Sequence, residues 1–301
     1  MLITLKNFKD LTQTPNRATV ATKPKHRMKD THFIVTGAGS GIGQALAILA
    51  ASKGAKVIAT DINEKGLDET REKVVSKNGW INTHRLDVAD SQAITDFKEM
   101  VMKTYSPQKI ILVNNAGVAL NSGTFAETPM EDFDWLININ LYGVIRMTKA
   151  FLPLMLAQNQ GHIVNVSSIF GIIGVRYQSA YCTAKFGVKG FSDVLKMELM
   201  DTGIKVSSVH PGGIKTKIAS NARVSINQDL RQAAADLEKF EREALINTPE
   251  YAAEVIMKGI EKGKSRILIG RDAKIIDILA RAFPNTYHLK IPKKLTEKAK
   301  V

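Results

Sequence analysis

Thr36-Gly37-Ala38-Gly39-Ser40-Gly41-Ile42-Gly43 closes a short apolar run, His32–Thr36, and leads directly into an amphipathic stretch, Gln44–Ser52. Glycine adopts backbone angles that other residues resist, and its missing side chain lets a ligand approach the backbone. A glycine string alone is a weak signal. Between a strand and a helix it predicts a turn that seats a pyrophosphate on the helix N-terminus. Gly37, Ser40, Gly41, Ile42 and Gly43 are therefore candidate dinucleotide contacts. The next apolar run ends at Asp61, 18 residues after Gly43. A carboxylate there can accept hydrogen bonds from both adenosine ribose hydroxyls and would repel a 2′-phosphate. No basic residue stands in the turn or directly after Asp61, so NAD is expected in preference to NADP.

Outward from this unit, short apolar runs alternate with helical patterns. Strands are expected at His32–Thr36, Lys56–Thr60, Ile81–Leu86, Ile110–Asn114, Gly161–Ser167, Lys205–His210 and Arg266–Ile269. Several are uninterrupted and rich in Val and Ile, as strands buried on both faces must be. Amphipathic stretches lie near 42–53, 64–77, 91–105, 131–157, 179–201 and 249–262. Such alternation predicts an α/β fold, a doubly wound parallel sheet (Rossmann-like) in a single domain over 31–270. Residues 1–30 and 271–301 read as basic extensions.

The composition agrees: 301 residues, 44% hydrophobic, 24% charged, 21 Gly and 9 Pro are ordinary for a globular chain. The lone Cys182 excludes a disulfide framework and fits a reducing compartment, so a cytoplasmic location is expected. The charge-free stretch Phe33–Ser52 is too glycine-rich and polar for a membrane span. No long apolar segment marks a secretory signal at the N-terminus. The net charge of +13 is concentrated at the ends, with +5 over 1–30, +5 over 271–301 and only +3 between. That distribution speaks against a nucleic-acid surface and leaves solvated tails, or weak contact with an anionic membrane surface. Ile275, Ile276, Ile278, Leu279 and Phe283 form an apolar face beside Arg271, Lys274 and Arg281, expected to dock on the body of the protein.

Tyr181 and Lys185 stand four apart at the opening of a helical stretch, hence on one face. A free Tyr titrates at about 10. A neighbouring ammonium, with an oxidised nicotinamide nearby, favours the phenolate and would make Tyr181 a usable acid/base. The pair follows a strand ending in Val166-Ser167-Ser168; strand alternation lets only one of the two serines face the cleft.

With these pieces in place the sequence resembles the short-chain dehydrogenase/reductase family over about 30–270. The matching motifs are the 36–43 turn, Leu86-Asp87-Val88, Asn114-Asn115-Ala116-Gly117, Asn138-Ile139-Asn140-Leu141, Ser168, Tyr181/Lys185 and Pro211-Gly212. The resemblance implies Tyr181 as general acid/base and Ser168 as the group polarising the substrate oxygen, its spacing selecting it over Ser167. It implies Lys185 as the holder of the nicotinamide ribose and tuner of Tyr181, and Asn140 as the anchor of a proton-relaying water. It also implies Asp87, Val88, Asn114, Ala116 and Gly117 along the adenosine side. Pro211 and Gly212 would also bind the cofactor, and Gly213, Ile214 and Thr216 would pass its nicotinamide end. Ala184 stands where the family usually has Ser, in a slot that is not catalytic. Cys182 reads as an inert buried thiol. His84, His162 and His210 lack metal-ligand spacing, so no metal is expected.

The expected reaction is hydride transfer between a nicotinamide cofactor and a small-molecule, hydrophobic secondary alcohol or ketone. Specificity is expected from 213–247, including Gly213, and from the loop after Ser168. Leu230, Ala233, Ala234, Leu237, Phe240 and Leu245 form a helical stripe suited to a lid. Ile169, Phe170, Val175, Tyr177 and Ile218 are further apolar candidates, and Arg176 is the nearest cation. Two alternatives stand beside this reading: reduction of a 3-oxoacyl or other acyl thioester, and a non-catalytic dinucleotide-sensing regulator. By resemblance, a homodimer or homotetramer is expected through the helices near 131–157 and 179–201.

Overall fold

The computed structural model describes residues 28–225 and 245–290. The strands are β1 (His32–Thr36), β2 (Lys56–Asp61), β3 (Trp80–Arg85), β4 (Ile110–Asn114), β5 (Leu120–Asn121), β6 (Gly161–Val166), β7 (Ile204–Pro211), β8 (Arg223–Val224) and β9 (Arg266–Ile269). Seven of them form one sheet in the order β3-β2-β1-β4-β6-β7-β9, every neighbouring pair parallel. β5 and β8 make a separate two-stranded parallel pair that the sequence patterning did not mark. Each is two residues long, too short to carry a period.

The helices are α1 (Gly41–Ser52), α2 (Glu64–Val75), α3 (Ser91–Tyr105), α4 (Met130–Ile137), α5 (Gly143–Gln158), α6 (Ser179–Glu198), α7 (Pro249–Glu261), α8 (Arg271–Ala282) and α9 (Tyr287–Lys290). Alternate residues of each strand face opposite layers. Phe33 and Val35 pack with Leu46 of α1 and Ile256 of α7, while Ile34 packs with Phe97 of α3 and Met147, Phe151 and Met155 of α5. The sheet is thus covered on both sides, as a parallel sheet must be. Asp90 caps α3 by accepting from the Gln92 and Ala93 N–H groups, and Thr248 caps α7 ahead of Pro249. The start of α1 has no such side-chain cap.

The stretch read as one helix over 131–157 is interrupted. Asn138–Tyr142 forms a wide π-helical turn between α4 and α5, and Asn140 within it is fully buried. Such turns add one residue to a helix and recur at functional sites.

The chain order reverses between β1 and β4, which opens a crevice at the carboxyl ends of the strands. The C-terminal face docks only in part: Ala273 and Ile276 of α8 are buried against Ile169, Ile173, Val175 and Cys182, whereas Ile275 and Ile278 point outward. Leu230, Ala233, Ala234, Leu237 and Phe240 of the expected lid stripe, and 1–27 and 291–301 of the basic ends, lie outside the described residues; Leu245 is buried. Among the described residues, no helix is long and apolar enough to cross a membrane, and no cluster of His, Cys, Asp or Glu is placed to hold a metal.

Candidate active site

A cavity of about 620 Å³ fills the crevice, and most of the residues singled out from the sequence line it. Its floor begins at the glycine turn. Gly37 (φ +68°) and Gly41 (φ +53°) occupy the left-handed region that side chains disfavour. A Cβ on Gly37 would lie 2.8 Å from the Ala116 Cα, and one on Gly41 would lie 2.9 Å from the Thr216 methyl. Ser40 and Ile42 line the same wall. Gly43 does not reach the cavity: it is buried, and a Cβ there would overlap the Gly37 carbonyl oxygen. Its role is the close approach of α1 to the turn, a correction to its reading as a contact residue.

Asp61 ends β2 at the cavity wall. Its Oδ2 accepts from the Gly39 N–H at 2.8 Å and its Oδ1 from the Asn63 N–H at 2.9 Å. A carboxylate has about four acceptor positions, so each oxygen keeps capacity for a ligand hydroxyl. Asp87 holds the next strand end by accepting from the Ala89 N–H, and Val88 lines the cavity beside it.

At the end of β4 the expectation for Asn114 is corrected. Its side chain is buried beneath the cavity, donating to Thr148 Oγ1 and Asn165 Oδ1. Its neighbour Asn115 lines the wall instead, its Nδ2 tying the Thr36 and Gly37 carbonyls. Consecutive residues on a strand face opposite ways, so only one of the pair can face the cavity. Ala116 and Gly117 also line it. Asn140 does not reach it either. Its Oδ1 accepts from the Val118 N–H and its Nδ2 donates to the Val118 carbonyl, both at 2.8 Å, so this side chain fixes the wall at 117–118.

The two serines after β6 separate cleanly. Ser167 turns its hydroxyl to the Lys185 carbonyl at 2.8 Å. The Ser168 hydroxyl accepts from the Phe170 N–H at 3.1 Å and is hydrogen-bonded to the Tyr181 phenol. On α6, Lys185 lies one turn beyond Tyr181, its Nζ donating to the Val166 carbonyl at 3.1 Å and standing 5.5 Å from the centre of the Tyr181 ring. Burial pulls the Lys185 ammonium down to about 8 and pushes the Tyr181 phenol up to about 12, the Ser168 hydrogen bond opposing the latter. The ammonium one turn away is expected to lower the phenol. In the protein alone burial dominates, because the charge sits over the ring rather than on the oxygen.

Pro211, Gly212, Ile214 and Thr216 complete the far wall, with Ile218 and Leu245 beyond them. Asp272 also lines the cavity. Sequence reasoning missed it by ending the domain at 270. The signal was there: it stands in the first turn of the helix following the last strand, and strand carboxyl ends share one crevice.

The short chain dehydrogenase family model matches residues 31–227, covering every motif from the glycine turn to Pro211-Gly212. The chain belongs to the short-chain dehydrogenases. It is 40% identical to a putative oxidoreductase SadH of Mycobacterium tuberculosis over 256 residues, 84% of this chain and 91% of the relative. It is 35% identical to the 3-oxoacyl-[acyl-carrier-protein] reductase FabG of Thermotoga maritima over 231 residues, 77% of this chain and 90% of that one. A short-chain dehydrogenase from Burkholderia phymatum solved with NAD shares the fold, with a TM-score of 0.77, 24% identity and coverage of 87% and 96% of the two chains. A metagenomic short-chain oxidoreductase solved with NADP superposes with a TM-score of 0.65, 27% identity and coverage of 80% and 97%. The protein is accordingly an oxidoreductase using a nicotinamide cofactor. The cavity of this short-chain dehydrogenase fits such a group. The uncapped start of α1 offers backbone N–H groups to a pyrophosphate, and the crowding around Gly37 and Gly41 leaves the turn bare of side chains.

Proposed function

We propose that this short-chain dehydrogenase interconverts a hydrophobic secondary alcohol and its ketone with NAD. The observation carrying the reading is the Tyr181 phenol, hydrogen-bonded to Ser168 at the cavity base with Lys185 one turn away. The bound nicotinamide supplies hydride acceptance or donation. In the oxidative direction the substrate hydroxyl sits between Ser168 and the ionised Tyr181, and its proton passes to the phenolate oxygen. The carbinol hydrogen would go as hydride to the bound nicotinamide, leaving the carbonyl. Ser168 donates to the developing alkoxide, so charge is stabilised by fixed donors rather than by water. Lys185 supports the phenolate and holds the ribose, while Asn140 keeps the 117–118 wall in place. An apolar substrate is supported by Trp135, Ile139, Ile169, Phe170, Ile218 and Leu245 around the cavity.

NAD over NADP rests on Asp61. A 2′-phosphate would bring charge against a carboxylate already fixed by two backbone N–H groups. In fluorescence titrations NADH is expected to bind at least about tenfold more tightly than NADPH. Asp61→Ser is expected to narrow the gap to within about threefold. Tighter binding of NADPH by the unaltered protein would overturn the assignment.

The likeness to FabG favours a second reading, reduction of a 3-oxoacyl thioester. Assaying acetoacetyl-thioester reduction beside a panel of secondary alcohols separates the two. A homo-oligomer is supported by exposed apolar residues on α6, Val194 and Met197, together with Leu156 on α5. Weak contact with an anionic surface is supported by the outward Ile275 and Ile278 beside the exposed Lys274. The single, buried Cys182 supports a cytoplasmic location.

A further inference from the structure

Residues beyond the family match build part of the cavity wall. Directly after β9 the chain turns at Gly270 into α8, and the second residue of that helix, Asp272, reaches back to the turn after β7. Its Oδ2 accepts from the Gly213 N–H at 2.8 Å. The same residue is held from the other side, where the Asn247 N–H and side-chain amide both donate to the Gly213 carbonyl, at 3.0 and 3.1 Å. The carboxylate is seated between two glycines: a Cβ on Gly212 or on Gly270 would overlap it. Its other oxygen, Oδ1, is buried without a hydrogen-bond partner. Such a carboxylate is held at a cost, and its grip on Gly213 is the interaction that offsets it.

A second tie runs from the same segment. The Tyr287 hydroxyl accepts from the Gly174 N–H at 3.0 Å, and its ring packs with Ile173 and Val175 in the loop after Ser168. Arg266 of β9 pairs with Asp277 of α8 and ties the helix to the strand, while Arg281 pairs with Asp277 within α8. The segment beyond β9 therefore grips both walls that flank Tyr181.

We propose that Asp272 is a positioning residue for the nicotinamide half of the cofactor, acting through Gly213, with Tyr287 setting the opposite wall. This rests on the reading above that the 211–216 turn meets the nicotinamide end. Asp272 does not act on the reacting atoms. It fixes the backbone against which the ring lies, so its loss should be felt by NAD and not by ADP-ribose, which lacks that ring.

The test is calorimetric titration of the full chain with NAD and with ADP-ribose. Asp272→Ala is expected to weaken NAD about tenfold, the value of a charge-assisted hydrogen bond, and to leave ADP-ribose within about twofold. Asp272→Asn keeps an acceptor for the Gly213 N–H and is expected to restore NAD affinity to within about threefold of the parent. Gly212→Ala, whose Cβ displaces the carboxylate, should reproduce the selective loss even if Asp272→Ala fails to fold. Unchanged NAD affinity in the alanine variants, or equal weakening of both ligands, overturns the proposal while leaving the dinucleotide reading intact. Failure of the parent protein to bind either ligand overturns both.

Discussion

Tyr181→Phe is expected to lower turnover by about a thousandfold or more, with NAD affinity changed less than about threefold. The substitution removes one oxygen and keeps the ring, so the edge-on packing of Tyr181 against Phe170 survives. What disappears is the atom that exchanges the substrate proton and the partner of the Ser168 hydroxyl. Burial pushes this phenol up to about 12, while Lys185 is pulled down to about 8. Oxidation by the parent enzyme should therefore rise with pH, because the phenolate is the base that takes the proton. The rise should sit below the phenol's value in the protein alone, since the cationic nicotinamide favours the ionised form. Steady-state rates across pH 6–10 and a fluorescence titration of the variant check both statements. A variant retaining full activity would remove Tyr181 from the chemistry.

A large loss of stability is expected between about pH 6.5 and 4, from two histidines that the chemistry does not use. His162 and His210 are buried, and burial first of all pulls each down to about 4. Lys205 and Lys109 add to the effect at His162. Ser207 spends its only proton on the Lys264 carbonyl at 2.6 Å, so it must accept from His162 Nε2–H at 2.7 Å. His210 donates through Nδ1 to the Ser168 carbonyl at 3.1 Å and accepts at Nε2 from Ser208. Both rings are thus neutral in the fold and take up a proton near 6.5 when unfolded. Their contribution is fully present above about 6.5 and is lost as pH falls toward the folded value of about 4. Each shift corresponds to about 3 kcal/mol at pH 4, a large share of an ordinary domain's stability. Urea unfolding at pH 7 and 4.5 measures it. His162→Asn should remove about half of the acid-induced shift in midpoint. Equal midpoints at the two pH values would show that the rings are not held neutral.

The inner strands of the sheet were legible because they are buried on both faces and so stand out as apolar runs rich in Val and Ile. β1, β4 and β9 fall where the sequence puts them, and the other four differ by a residue or two at their ends. The glycine turn was legible because backbone demands are written directly in residue type. Three features were not. The π-helical turn at 138–142 breaks no hydrophobic period strongly enough to be seen, since one extra residue shifts the pattern by only part of a turn. Asn114 and Asn115 are chemically identical, and which of them faces the cavity depends on how the chain leaves β4. Asp272 belongs to the site through a contact with Gly213, 59 residues away in the chain, which no local pattern reports.

The wide turn between α4 and α5 also bears on how the gene can change length. Deleting a single codon within 138–142 would let the two helices fuse into one regular rod. Because the wide turn takes up the extra residue, the helix that follows would keep its phase relative to α4. Met147, Phe151 and Met155 would go on filling one layer of the core, while Asn140 would lose its place against Val118. Such a deletion should therefore spare the fold and loosen the 117–118 wall of the cavity.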